Sequence, residues 1–429
     1  MEVITIPVII KVLAVFGLIL TINRFKIGLG TALLVGSLVL GIWMHLGPIR
    51  LLQSGLRSLV DPQTISLILI VGMILIMSRL MKESGHLDRI VSSFSALSKD
   101  PRVSASVMPA LIGLLPMPGG ALFSAPMVDT SLCENHLTGE EKTAVNYWFR
   151  HIWEYWWPLY PGFVLAVALL KVEAWRFMAI MIPMTLATVV AGVFFILRPL
   201  GKREAKSGSL SFKDVKRFFW EIMPILIVVG VILLLGGVTG ILKMLGIQAG
   251  IHGSFSILPG LAAATVWVCA VNRIKMKKVF EVSTEKSILP MLFLVTSIMI
   301  FKGIMNDSQA VLQIRNELMS YRIPLIMVVL LMPFLSGFIT GIAIGFVGTS
   351  FPLIIPMFPT TDLLTYLSWA ALAYSFGYMG MMLSPVHLCF LVTKDYFKAS
   401  LARSYHYLFL PVMTVMTIAL LLFAASRLI

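Results

Sequence analysis

Apolar residues run along this chain in blocks long enough to cross a bilayer, separated by short polar connectors rich in Lys and Arg. A hydrocarbon core about 30 Å thick takes roughly 20 apolar residues wound as a helix. Such blocks predict spans near residues 4 to 21, 27 to 46, 64 to 81, 142 to 170 and 174 to 197, then 220 to 237, 254 to 272, 287 to 304, 364 to 392 and 405 to 426. Two further apolar stretches, near 103 to 128 and 325 to 357, are interrupted by glycine and proline. The pattern predicts an all-α polytopic membrane protein with about ten transmembrane helices. The first block carries Lys11 and is followed by no small-residue cleavage site, so it is expected to stay as a first helix and not to act as a signal peptide.

The two broken stretches are related by one offset. Adding 224 carries Met108, Pro109, Leu111 and Gly113 onto Met332, Pro333, Leu335 and Gly337, and carries Pro161 onto Pro385. From Ser66 to Gly113 against Pro290 to Gly337, 10 of 48 positions are identical. One offset that holds through two prolines and a glycine predicts a duplication. The first repeat is expected over 1–200 and the second over 218–429, joined by a basic cytoplasmic linker at 201–217 that needs only a structural role. Broken hydrophobic segments at matching places in two repeats point to the substrate site of a secondary transporter.

Charge separates two ways of threading the broken stretches. With the N-terminus outside and each broken stretch entering and returning as a re-entrant hairpin, every repeat makes five crossings and the repeats are inverted. Of the 34 Lys and Arg residues, 23 then fall inside and 9 outside, with Lys11 and Arg150 in the membrane. A single crossing at the first broken stretch would instead move the cluster from Arg198 to Arg217 outside. The positive-inside rule therefore favours hairpins, the first opening inward and the second outward, with both termini outside.

Composition agrees with the membrane reading: 58% of residues are hydrophobic and 13% charged. The net charge of +14 does not call for a nucleic-acid partner, because the basic residues sit in connectors between spans. Cys133, Cys269 and Cys389 are far apart, and no disulfide framework, zinc site or other metal site is expected. No GxxxxGK[ST] string occurs, which argues against ATP hydrolysis by this chain. An embedded enzyme would need a constellation such as HExxH, and the nearest approach is the H-x-x-E of His151 and Glu154.

Candidate chemistry lies at the breaks. Pro116, Met117, Pro118, Gly119 and Gly120 cannot continue a helix, so they free backbone groups that must face protein or a watery cavity. Helix ends there offer N–H donors to an anion and carbonyls to a cation. In the second stretch Gly337, Gly341 and Gly345 fit either a hairpin tip, with Ser336 and Thr340 beside it, or a closely packed helix face. The spans that follow are expected to break at Pro158 and Pro161 and at Pro385, next to Ser384 and His387.

One of these spans holds intramembrane charge. Asn146, Arg150 and Glu154 are spaced by four and would share a helical face, with His151 beside them. Arg150 could bind an anionic group bidentately, and His151 or Glu154 could carry a proton or coupling ion. The density of Tyr147, Trp148, Trp153, Tyr155, Trp156 and Trp157 also fits an interfacial belt in which Arg150 and Glu154 merely pair.

The strings LLPMPGGALFSAPMVD and NYWFRHIWEYWWPLYPG resemble the prokaryotic membrane family described as domain of unknown function 401. The arrangement of three spans, hairpin, broken span and span, repeated with inversion, resembles the ion transporter superfamily of gluconate, dicarboxylate and citrate carriers. That resemblance covers nearly the whole chain and implies an elevator-type carrier with its site between hairpin tips and broken helices. The chain departs from the sodium-coupled members in having no Ser-Asn-Thr triplet at either tip. The expectation is a secondary active transporter of a small organic anion, a carboxylate or sugar acid, in the cell (inner) membrane. Na+ or H+ would be the coupling ion, no cofactor is required, and a homodimer is compatible with the fold. A membrane-embedded enzyme or a non-transporting membrane protein is the alternative.

Overall fold

The computed structural model describes residues 6–25, 27–95, 97, 100–117, 120–132, 137–201, 211–246 and 253–428. Among these the regular structure is helical throughout. The first half runs α1 (Val8–Arg24), α2 (Leu29–Trp43), α3 (Pro48–Val60), α4 (Pro62–Glu83), α5 (His86–Ser95), α6 (Pro101–Gly113), α7 (Ala121–Ser131), α8 (Gly139–Arg150), α9 (Pro161–Leu170) and α10 (Ala174–Gly192). The second runs α11 (Phe212–Glu221), α12 (Met223–Met244), α13 (Ile257–Val271), α14 (Met276–Ser283), α15 (Leu289–Asp307), α16 (Ala310–Ser320), α17 (Leu325–Thr340), α18 (Ala343–Ile354), α19 (Leu363–Met382), α20 (Leu388–Tyr396) and α21 (Leu401–Ala425).

Among the described residues six helices are long and apolar enough to cross a membrane, and the chain is a multi-pass membrane protein. The other apolar helices, Leu29–Trp43, Pro161–Leu170, Leu325–Thr340 and Ala343–Met357, are shorter, for two reasons. α2 is clipped by connectors, whereas the rest are halves of hairpins or broken spans. Between the spans lie α3, α5, α11, α14 and α16, which the hydropathy blocks left as connectors. Their apolar residues recur at helical spacing, as in Leu51, Leu52, Leu56 and Leu59 of α3, a period that a search for long apolar runs passes over. The linker expected at 201–217 is partly α11, and its residues 202–210 lie outside the described ones.

Helix starts follow local chemistry. Asp61 and Asp100 accept from the N–H of Gln63 and Arg102 at 2.7 and 2.8 Å, each with proline at the next position. Thr138 and Glu141 form a capping box ahead of α8, and Asp362 accepts from Thr365 N–H at 2.7 Å ahead of α19. That N–H holds the Asp362 carboxyl below its ordinary range. Bounds recur at the offset of 224: α4 and α15 end at Glu83 and Asp307, α5 and α16 start at His86 and Ala310, α6 and α17 at Pro101 and Leu325, α8 and α19 at Gly139 and Leu363.

Connector contacts sort into two groups. In one, Lys278 meets Glu83 at 2.7 Å, Arg79 meets Glu285 at 3.2 Å, Arg89 meets Glu221 at 3.2 Å, and Glu140 accepts from Ser400 N–H at 3.0 Å. In the other, Glu317 accepts from the N–H groups of Val8 and Ile9 at 2.7 Å each, Lys302 donates to Gln63 at 2.6 Å, and Tyr366 donates to the Leu170 carbonyl at 3.1 Å. The contacts named here never join one group to the other, as expected when the two ends of the helices lie a bilayer apart.

Candidate functional site

The site starts from two places where helices stop. α8 ends at Arg150 and α9 begins at Pro161, so residues 151–160 are unwound. Pro158 and Pro161 have no N–H to give to the carbonyls four residues back, those of Glu154 and Trp157. The break expected at the prolines therefore extends a whole segment upstream of them. Glu154 lies in the unwound segment and not on one continuous helical face with Asn146 and Arg150. The second break, at residues 383–387, contains Ser384, Pro385 and His387.

Exposed backbone at these breaks is met by the aromatic string. Tyr374 donates to the Glu154 carbonyl at 3.0 Å, and Tyr378 donates to that of His151. Trp157 Nε1 donates to the Leu114 carbonyl at 2.8 Å, Trp153 Nε1 to that of Ala110 at 2.9 Å, and the Tyr160 hydroxyl to that of Gly113. Leu114 could not be served by the residue four places on, since that residue is Pro118. Tyr147, Trp148, Tyr155 and Trp157 are buried. Trp153, Trp157 and Tyr160 thus supply donors to the carbonyls at the end of α6, as Tyr374 and Tyr378 do for the first break. Tyr374 and Tyr378 are the positions that the offset of 224 pairs with Arg150 and Glu154, so the halves meet here directly.

Both broken stretches fold as helical hairpins, α6 with α7 and α17 with α18. Pro116, Met117 and Gly120 belong to the first tip, while Pro118 and Gly119 lie outside the described residues. The second tip turns at Gly341, whose φ of 66° is left-handed. A Cβ there would lie 3.0 Å from Ser384 Oγ and from His387 N. The glycine ladder serves both of its expected roles: Gly341 makes the turn, and Gly337 lies against the Gly377 carbonyl of α19 without room for a Cβ. Ser336 hydrogen-bonds Thr349 between the two legs, and Thr340 Oγ1 donates to the Ser336 carbonyl at 2.7 Å. Asn146 is buried and donates to the Ala121 carbonyl at 3.1 Å and to Thr393 Oγ1 at 3.0 Å. Asn146, Ser336 and Thr340 therefore brace the hairpins.

Arg150 is 3% exposed. Its Nη2 donates to the Met117 carbonyl at 3.1 Å, and its guanidinium lies against Gly120, where a Cβ would be 2.9 Å from Cζ. Nε and Nη1 are buried and have no hydrogen-bond partner among the described residues. No ion pair joins Arg150 to Glu154 among those residues. Cys389 lies beside the guanidinium, and the unused donors suit a negatively charged group.

His151 Nδ1 lies 2.6 Å from the Tyr147 carbonyl and its Nε2 3.1 Å from His387 Nε2. Glu154 Oε1 is 3.8 Å from His151 Nε2. These groups line a cavity of about 160 Å³ together with Pro116, Met117, Arg150, Tyr160, Ile342 to Ile344 and Cys389. Two tips and two breaks thus converge on one space. A second cavity of about 240 Å³ shares Leu75, Pro116 and Met117 with it and reaches Arg79 and Lys82.

Of the expected site residues, Pro116, Arg150, His151, Glu154, Pro161 and His387 line the cavity. Gly120, Gly341 and Ser384 support it from behind, and Pro158 sits within the first break. Tyr160 and Cys389 were not singled out from the sequence. No metal site is expected at Cys389 from the spacing of the cysteines, yet its Sγ groups with the ring nitrogens of His151 and His387 within 4.8 Å. The local signal was the His-x-Cys of His387 and Cys389. Cys133 lies outside the described residues.

No curated protein matches this chain. Among solved structures, the YdaH transporter of Alcanivorax borkumensis, described as having an unusual topology, is similar at 14% identity with a TM-score of 0.49, covering 89% of each chain. At that score and identity the likeness carries no argument about function. The model of the family described as protein of unknown function (DUF401) matches residues 5–426, and the chain belongs to that family.

Proposed function

We propose that this chain is a secondary active carrier of a small organic anion, a carboxylate or sugar acid, within the ion transporter superfamily. One observation carries the reading: Arg150 is a buried guanidinium whose Nε and Nη1 have no hydrogen-bond partner among the described residues, at a cavity lined by both hairpin tips and both broken segments. An anion entering that cavity gains charge-assisted hydrogen bonds and relieves the uncompensated charge.

Access also fits a carrier. The second cavity leads from the first tip to Arg79 and Lys82, on the level that the positive-inside rule assigns to the cytoplasm. The conformation is accordingly inward-facing, and basic side chains at the mouth attract anions. Two inverted repeats, 1–200 and 218–429, with re-entrant hairpins and both termini outside the cell (inner) membrane, would carry the site across in an elevator movement. Glu154 is the carboxylate facing the cavity and the position a coupling Na+ or H+ would reach. A homodimer would hold the remaining helices still while the hairpins move.

The test is a thermal-shift screen of the purified protein against organic and sugar acids, followed by uptake of the hit into proteoliposomes. A specific ligand at 100 times its Kd stabilises the folded protein by about 2.7 kcal/mol. Arg150→Ala is expected to abolish the shift and the uptake while keeping a folded, monodisperse protein. Wild-type uptake by that variant would remove Arg150 from the site. Imposing proton and sodium gradients separately identifies the coupling ion.

A further inference from the structure

The cavity holds a second group of side chains that an anion does not use. His151 and His387 come from the two broken segments, 236 positions apart in the chain, and Cys389 from the first turn of α20. All three are buried, and their ligating atoms lie within 4.8 Å of one another. From this geometry we propose that the cavity binds a divalent transition-metal ion of the zinc type through His151, His387 and Cys389, with Glu154 as fourth ligand.

Three features support it. The Tyr147 carbonyl can only accept, so the 2.6 Å contact places the proton of His151 on Nδ1 and leaves Nε2 with its lone pair facing His387. A carbonyl that fixes the tautomer from behind is the usual outer shell of a metal-bound histidine. Secondly, the two Nε2 atoms are 3.1 Å apart, near the roughly 3.3 Å that two nitrogens take on one tetrahedral zinc at about 2.0–2.1 Å from each.

Charge is the third feature. Two neutral imidazoles, a thiolate and a carboxylate neutralise a divalent cation, and a neutral complex is far cheaper to bury than its separate ions. Glu154 Oε1 is 3.8 Å from His151 Nε2 but lies outside the close group of three, so its carboxylate must swing inward to become the fourth ligand. Arg150 touches Cys389 and keeps Nε and Nη1 for the anion. The proposal shares the cavity of the carrier reading, but metal binding can be measured whether or not anything is carried.

Full-length protein is purified in detergent, stripped with a chelator and titrated with Co2+ as the spectroscopic probe. The expected result is one ion per chain with a thiolate-to-cobalt charge-transfer band. That band is expected to vanish in Cys389→Ser, and His387→Asn is expected to weaken binding at least tenfold, with thermal midpoints recorded for each variant. Zn2+ should displace the cobalt and abolish the band. Absence of stoichiometric binding, or a band that survives in a folded Cys389→Ser, overturns the proposal. Arg150→Ala separates the two readings: it is expected to lose anion binding and to keep the cobalt band. If wild-type protein shows the band but no anion shift, the carrier reading fails and the metal site stands.

Discussion

The guanidinium of Arg150 lies against the backbone of Gly120, close enough that a Cβ at residue 120 would sit 2.9 Å from Cζ. Gly120 is therefore needed for space. Its φ is −57°, a value any residue adopts, so conformational freedom is not the reason.

Gly120→Ala accordingly tests the position of the charge without removing it. The methyl must push the guanidinium away from the tip, and with it the hydrogen bond to the Met117 carbonyl. Anion affinity is expected to fall at least tenfold, about 1.4 kcal/mol, while the thermal midpoint of the ligand-free protein changes little. Titration of the thermal shift with ligand reads both. Unchanged affinity would mean that Arg150 does not hold the anion from this position.

Tyr378 is a second lever, because its hydroxyl serves the His151 carbonyl in the unwound segment. Tyr378→Phe leaves that buried carbonyl with only the Glu154 N–H at 3.3 Å, a loss of about 1 kcal/mol. Tyr374→Phe should act alike through Glu154, whose carbonyl has Pro158 and not an N–H four residues on. Both variants are expected to lower the thermal midpoint, and Phe substitution of the more exposed Tyr396 is not. Equal midpoints for all three proteins would show that the aromatic donors do not support the break.

Topology can be read chemically. With both termini outside, a cysteine at Lys213 faces the cytoplasm and one at Thr361 faces outward; both positions are exposed. In intact cells a membrane-impermeant thiol reagent is expected to label Thr361→Cys and to spare Lys213→Cys until the cells are opened. Measured against the labelling of the parent chain, the reverse pattern would invert the orientation inferred from the basic connectors.

Much of this molecule can be read along the chain. Apolar blocks mark the long helices, Asp61, Asp100 and Asp362 mark helix starts, and Pro116, Pro158, Pro161 and Pro385 mark breaks, because each works through its own few neighbours. The short amphipathic helices such as α3 and α11 were legible too, but only to a search for a 3.6-residue period. Arg150, His151 and Glu154 stood out because ionisable groups are costly inside a membrane.

By itself the sequence determined that helices must stop at particular prolines and that charge must be buried near one of them. It could not say which groups would answer those needs. A carbonyl stripped of its helical partner can take any donor within reach, and only packing brought Tyr374 and Tyr378 to the first break and Trp153, Trp157 and Tyr160 to the end of α6. The same packing set His151 Nε2 3.1 Å from His387 Nε2 and drew Cys389 beside them, a contact between distant segments that no local pattern encodes. Tertiary structure likewise left Nε and Nη1 of Arg150 without a hydrogen-bond partner among the described residues, and that shortage is what points to an anion.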